Sequence, residues 1–211
     1  MNLRWKIAQA IEFRWWQQYL KKKPVSDYLA WKKDYWKTFL EKIDIHPIKE
    51  DEILDVGCGP AGIFIVLTDV EVDAVDPLLD QYEENLPHFN KENYPNTNFL
   101  TTSFEDLNSA KKYDKIFCLN AINHVSDLKK CFQKLNELLG ENGTLILSID
   151  AHNYSLFKYI FRALPGDILH PHQYDLREYK DMVSDLGMTI QKTVLYKQEF
   201  FFDYHIIIAK K

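Results

Sequence analysis

Apolar residues recur at every fourth position at Leu3, Ile7, Ile11, Trp15 and Tyr19, which predicts a helix with one apolar stripe packed inward. Lys21-Lys22-Lys23-Pro24 predicts its end, because cations suit a helix C-terminus and proline cannot continue the helix. A second helix is expected from Ser26, read as its N-cap, with Tyr28, Trp31, Tyr35 and Phe39 on one side and Trp36, Leu40 and Ile43 beside them. After Ile45-His46-Pro47 the pattern changes to short apolar runs alternating with amphipathic stretches. Strands are expected at Ile53 to Val56, Val72 to Val75, Asn98 to Thr101, Lys115 to Leu119 and Thr144 to Ile149. Helices are expected from about Ala61 to Thr68, after Pro77, and through Leu128, Phe132, Leu135 and Leu139 to a stop at Gly140.

The last segment departs from this alternation. Asp175 and Glu178 are spaced as a capping box ahead of a helix with Leu176, Tyr179, Met182, Val183 and Leu186, ended by Gly187. Two strand-like runs, Thr189 to Tyr196 and Phe200 to Ile208, then follow with too few residues between them for a crossover, so they must pair as an antiparallel hairpin. The expected fold is α/β: a doubly wound, Rossmann-like, mostly parallel seven-stranded sheet that ends in an antiparallel hairpin, with an N-terminal helical extension. Residues 1–45 are read as a helical cap and 46–211 as the core domain.

The first strand runs through Asp55 into Gly57-Cys58-Gly59-Pro60-Ala61-Gly62, and the second ends in Ala74-Val75-Asp76-Pro77. Glycines let the backbone turn tightly and let a ligand approach it. An aspartate two residues before Gly57 would repel a pyrophosphate. An adenosyl group with an ammonium near Asp55 and ribose hydroxyls on Asp76 satisfies both carboxylates, and S-adenosylmethionine is such a molecule.

These motifs, with Tyr113-Asp114-Lys115-Ile116-Phe117-Cys118-Leu119-Asn120-Ala121-Ile122-Asn123-His124-Val125 at the fourth strand, resemble the class I S-adenosylmethionine-dependent methyltransferases. The resemblance covers about residues 50 to 150 and the closing hairpin. It implies a cofactor site built from Asp55, Gly57, Cys58 and Gly59 at the methionine end and Asp76 at the ribose. Pro77 follows Asp76, Leu78 lies by the adenine with Phe104 and Glu105 opposite, and Asn120 sits under the sulfonium. The stretch from Ser148 through Asp150, His152 and Asn153 resembles ubiquinone-pathway O-methyltransferases, whose acidic metal-binding residues are not matched by Ile122 and Asn123. No metal is therefore expected.

Methyl transfer needs the acceptor held in line with the C–S bond, and a base only where the acceptor must lose a proton. His124 and His152, at the ends of the fourth and fifth strands, are the candidate catalytic residues. His170-Pro171-His172 reads as a rigid loop ahead of a helix rather than a metal pair. Asp76 has a rival role as a helix cap, and Cys58 as a small turn residue. The N-terminal helices read as packing elements and as a lid that builds the acceptor pocket; a membrane-surface helix is the third reading, from Trp5, Trp15 and Trp16 among Arg4, Lys6 and Arg14.

A net charge of −5 argues against a partner with a phosphate backbone. The aromatic fraction of 14% suits a pocket for a flat or apolar small molecule. Cys58, Cys118 and Cys131 have no metal-like spacing and read as reduced thiols; with no signal-peptide pattern or apolar span, the protein is expected in the cytoplasm. The functional expectation is methylation of a small molecule, at oxygen ahead of nitrogen or carbon. The alternatives are a non-catalytic methyltransferase-like partner protein and an NAD-dependent reductase.

Overall fold

The computed structural model describes residues 3–152, 174–198 and 202–211. The chain divides into two compact units, Met1–Phe104 and Glu105–Lys211.

The first unit begins with helices α1 (Leu3–Leu20) and α2 (Val25–Ile43). Its strands β1 (Ile53–Val56), β2 (Val72–Val75) and β3 (Thr97–Leu100) are parallel, with β2 between the other two. Every residue of β1 and β2 is buried, including Asp55 and Asp73 among the apolar positions, as suits strands covered on both faces. Helix α3 (Leu79–Asn85) follows β2.

The second unit holds β4 (Tyr113–Cys118), α4 (Leu128–Leu138), β5 (Leu139–His152), α5 (Leu176–Ser184), β6 (Thr189–Lys197) and β7 (Phe202–Lys210). β4 pairs parallel with β5, and β7 lies antiparallel between β5 and β6. The register runs from Thr144 opposite Lys210 to His152 opposite Phe202. Seven strands, parallel except for the closing antiparallel pair, confirm the expected fold class. The capping box is present: Asp175 accepts from the Glu178 N–H at 3.0 Å, and Glu178 accepts from the Asp175 N–H at 2.9 Å. Among the described residues, no helix is long and apolar enough to cross a membrane.

Several expectations are corrected. On α1, Ile7, Ile11 and Trp15 are exposed, by 43%, 38% and 52%, so the predicted stripe faces outward. The face turned inward carries Gln9, Glu12, Phe13, Trp16 and Leu20. On α2, Trp31 is exposed, while Tyr28, Trp36, Phe39 and Ile43 are buried. Pro24, not Ser26, occupies the N-cap of α2, and the Ser26 hydroxyl donates to Asp27 instead. In place of a helix from Ala61 to Thr68 there are two 3₁₀ turns, Gly59–Ala61 and Ile63–Val66, separated by Gly62 in an extended conformation. Gly140 does not end α4: β5 already starts at Leu139, and Asn142 adopts the left-handed turn conformation.

Inside the second unit, the buried Tyr179 hydroxyl donates to Asn123 Oδ1 at 2.7 Å. Removing a donor from a buried acceptor costs about 1–3 kcal/mol. Tyr179→Phe is therefore expected to lower the urea midpoint by that stability with an unchanged m value, measured by far-UV circular dichroism.

Candidate active site

At the end of β1 the chain turns through Gly57 and Gly59, both at positive φ, 64° and 58°. The N–H groups of Gly57 and Cys58 donate to the Val75 carbonyl at 2.8 and 3.3 Å, pinning the turn to the end of β2. Asp76 Oδ2 accepts from the Gly59 N–H at 3.0 Å and Oδ1 from the Leu78 N–H at 2.8 Å. One carboxylate thus ties the turn after β1 to the turn after β2. The capping role considered for Asp76 is real, although it serves the Leu78 N–H just before α3. Pro77 lies between these contacts, and Leu78 is buried.

Asp55 turns its carboxylate into the following loop, where Oδ2 accepts from the Phe64 N–H at 3.4 Å. A Cβ built on Gly62 would lie 2.5 Å from that oxygen. The same Cβ would lie 2.6 Å from the Cys58 carbonyl oxygen, so the carboxylate and the backbone of the turn together require glycine there.

Both carboxylates are buried, Asp55 to 2% and Asp76 to 5% exposure. Burial pushes Asp76 up to about 6, while the Leu78 and Gly59 N–H groups pull it back. Burial likewise pushes Asp55 up to about 7; the N–H groups of Phe64 and Ile63 oppose this, the charge of Asp76 adds to it, and Lys32 reduces it. Burial and the two carboxylates hold the Cys58 thiol well above the ordinary thiol range, which suits a turn residue and not a nucleophile.

Residues of α1 and α2 that the sequence did not place at the site reach this turn. The Trp36 indole N–H donates to the Ala61 carbonyl at 2.9 Å. The Trp16 ring lies 3.6 Å from where a Cβ on Gly59 would stand. Lys32 is lowered to about 8 by burial, with Asp55 pulling it back up. Glu12 is raised to about 7 by burial and then by the charge of Asp76, with the Trp16 side chain opposing the shift. The sequence signal for Trp16 and Trp36 was their place among the aromatics of the first two helices; Lys32 and Glu12 gave none.

Phe104, at the end of the first unit, is buried. In the second unit, Glu105 accepts from the Ser126 N–H at 2.6 Å and the Ser126 hydroxyl at 2.9 Å, so its carboxylate fixes the loop before α4. Asn120 is exposed at the tip of the loop after β4, with φ of 56°. Its N–H donates to Ser148 Oγ at 2.7 Å, and the Tyr204 hydroxyl donates to the same oxygen at 2.7 Å. His124 ends the single turn Ile122–His124 and is half-buried. His152 is the last residue of β5. His170 and His172 lie outside the described residues.

Asp55, Gly57, Cys58, Gly59, Asp76, Pro77 and Leu78 are therefore brought together in the first unit. Each Asp76 oxygen takes one backbone N–H and retains further acceptor capacity, which fits a pair of hydroxyl donors.

Three comparisons bear on this site. The profile of a methyltransferase domain family matches residues 28–193. The ubiquinone biosynthesis O-methyltransferase of Rickettsia canadensis (strain McKiel) is 36% identical over 167 residues, covering 72% of this chain and 70% of that protein. The enzyme of the same name from Rickettsia felis is 36% identical over 113 residues, so the chain covers 46% of its length. Among solved structures, the 1,6-didemethyltoxoflavin-N1-methyltransferase of Burkholderia thailandensis, with its substrate and S-adenosylhomocysteine bound, superimposes with a TM-score of 0.61 at 12% identity, covering 100% of this chain and 91% of that one. With the glycine turn, the two strand-end carboxylates and the closing antiparallel strands in place, this chain belongs to the class I S-adenosylmethionine-dependent methyltransferases.

Proposed function

We propose that this methyltransferase transfers a methyl group to an oxygen of a small, flat, apolar acceptor with a phenolic hydroxyl, of the kind found in quinone precursors. The observation that carries this reading is the 36% identity over 167 residues to a ubiquinone biosynthesis O-methyltransferase. With the family established, neither a reductase nor a non-catalytic partner has support.

In this reading Asp76 accepts the ribose hydroxyls and the charge of Asp55 balances the ammonium end. The backbone of Gly57, Cys58 and Gly59 lines the methionine portion. Pro77 and Leu78 border the adenine, with Phe104 and Glu105 on its other side, and Asn120 lies at the sulfonium. The bound cofactor supplies a methyl group on a positively charged sulfur. The protein holds the acceptor oxygen in line, so that the new C–O bond forms as the C–S bond breaks and its electron pair returns to sulfur. The phenolic proton goes to His124 or His152. The N-terminal 45 residues serve as a lid over this site. Three free, buried cysteines and a net charge of −5 suit a cytoplasmic enzyme acting on a small molecule rather than on nucleic acid.

S-adenosylhomocysteine at 100 times its dissociation constant adds about 2.7 kcal/mol, which for a chain of this size raises the melting temperature by about 5 to 10 °C. Asp76→Ala is expected to lose most of that rise in differential scanning fluorimetry. A rise of equal size in the variant would remove Asp76 from the site.

Asp55 and Glu12 titrate near 7 and Asp76 near 6 in the folded chain, all above their unfolded values. Between about pH 4 and 7 the folded state therefore binds more protons than the unfolded state, and these groups make stability fall as pH rises. Bound cofactor favours the ionised carboxylates, so binding releases protons. Calorimetry is expected to show S-adenosylhomocysteine affinity rising across the same window and levelling above it.

Transfer of labelled methyl to a catechol-type phenol, followed against pH, tests the chemistry. Loss of the general base is expected to lower kcat by about 10²- to 10⁴-fold. The expected result is such a loss in His124→Ala or His152→Ala, accompanied by loss of the acidic limb of the profile. Full activity in both variants would leave the reaction without a histidine base.

A further inference from the structure

The ribose role assigned to Asp76 leaves two neighbouring groups without one. Glu12 projects from α1 as a partly buried carboxyl acted on by the charge of Asp76. Tyr82, on α3, is fully buried, and its hydroxyl has no partner in hydrogen-bonding geometry among the described residues. Burial above all, then the charges of Asp76, Glu12 and Cys58, hold that hydroxyl well above the ordinary phenol range, while the Trp16 side chain opposes the shift. Trp16 closes the arrangement: its ring centroid is 6.4 Å from that of Tyr82, and its edge reaches the open side of Gly59. Phe13, one residue after Glu12, packs against Tyr82 with centroids 6.2 Å apart.

A buried hydroxyl whose proton has no acceptor and two buried carboxyls whose charges oppose one another are both unfavourable. A neutral ligand with two adjacent hydroxyls relieves both. Each of its hydroxyls donates one proton to a carboxylate, and its oxygens retain lone pairs for a phenolic donor.

We propose that Glu12 and Tyr82 join Asp76 in a site for vicinal hydroxyls, so that helix α1 supplies part of the ribose pocket. This rests on the reading that Asp76 meets the cofactor's ribose. Asp76 then keeps one of the two ribose hydroxyls, Glu12 takes over the other as acceptor, and the Tyr82 hydroxyl donates to a ribose oxygen. The outward turn of the apolar residues of α1 follows from the same arrangement, since the helix face carrying Glu12 is the one needed at the site.

The test is calorimetric titration of the full chain with S-adenosylhomocysteine and with its 2′-deoxy and 3′-deoxy analogues. Wild type, Asp76→Ala, Glu12→Gln and Tyr82→Phe are compared, with a melting curve of each ligand-free protein. Tyr82→Phe is expected to weaken S-adenosylhomocysteine about tenfold, the loss for one hydrogen bond, while its ligand-free melting temperature stays level or rises because an unpaired buried hydroxyl has gone. Glu12→Gln is expected to weaken S-adenosylhomocysteine about tenfold but to change affinity less than about twofold for the deoxy analogue lacking the hydroxyl it meets.

Unchanged affinity in both variants, or equal losses on all three ligands, overturns the proposal. So does a Tyr82→Phe variant that melts lower and binds normally. If wild type binds S-adenosylhomocysteine and Asp76→Ala binds it equally well, the ribose role of Asp76 fails first; if wild type binds none of the three ligands, the cofactor assignment itself fails.

Discussion

The first unit depends on the Asp76 carboxylate and its two backbone donors. Without the Gly59 and Leu78 N–H groups, a buried aspartate would be protonated and would hold nothing. With them, a single side chain sets the spacing between the turns that end β1 and β2. The left-handed conformations of Gly57 and Gly59 follow, because the backbone must double back to present an N–H to a carboxylate on the next strand. The coupling of Glu12 to Asp76 also follows, since a charge held in place by backbone donors is felt by whatever packs over it.

The parts of the fold legible in the sequence are those in which local chemistry decides the structure. Short apolar runs became β1 and β2, buried at every position. Asp175 and Glu178 formed their reciprocal cap, and the span between the last two strands left no alternative to antiparallel pairing. The misread parts are those in which a distant partner decides. The periodicity of α1 identified its most apolar stripe, but α1 packs on a partly polar surface that includes Asp76 and Tyr82, so the face carrying Glu12 and Trp16 is favoured there. Likewise, Ala61 to Thr68 was read as a helix from its place between two strands, yet Asp55 captures the Phe64 N–H and Gly62 is held extended, and a segment rich in β-branched residues breaks into two short turns.

Acidic residues that look equivalent in the sequence are separated by their partners. Glu105 is engaged by both donors of Ser126 and organises a loop, whereas Asp76 receives one N–H on each oxygen and keeps acceptor capacity facing α1. Asn120 illustrates the same separation. Its place at a strand end was legible, but its left-handed backbone is held by Ser148 and Tyr204, from two strands far along the chain. A motif gives the residue type at such positions; the number of neighbouring donors determines what that residue can still bind.

Gly57, Gly59 and Gly62 have the spacing of a turn that accommodates a phosphate, but the third glycine answers to a different constraint. The atoms that forbid a side chain at Gly62 are the Asp55 carboxylate oxygen and the Cys58 carbonyl oxygen, which belong to the protein itself. The constraint therefore runs one way. A lineage that loses the acid at 55 must still keep the glycine, because the Cys58 carbonyl is part of the backbone of the turn. Across descendants of this chain, glycine at 62 should persist even where the acid at 55 and the bound molecule have changed.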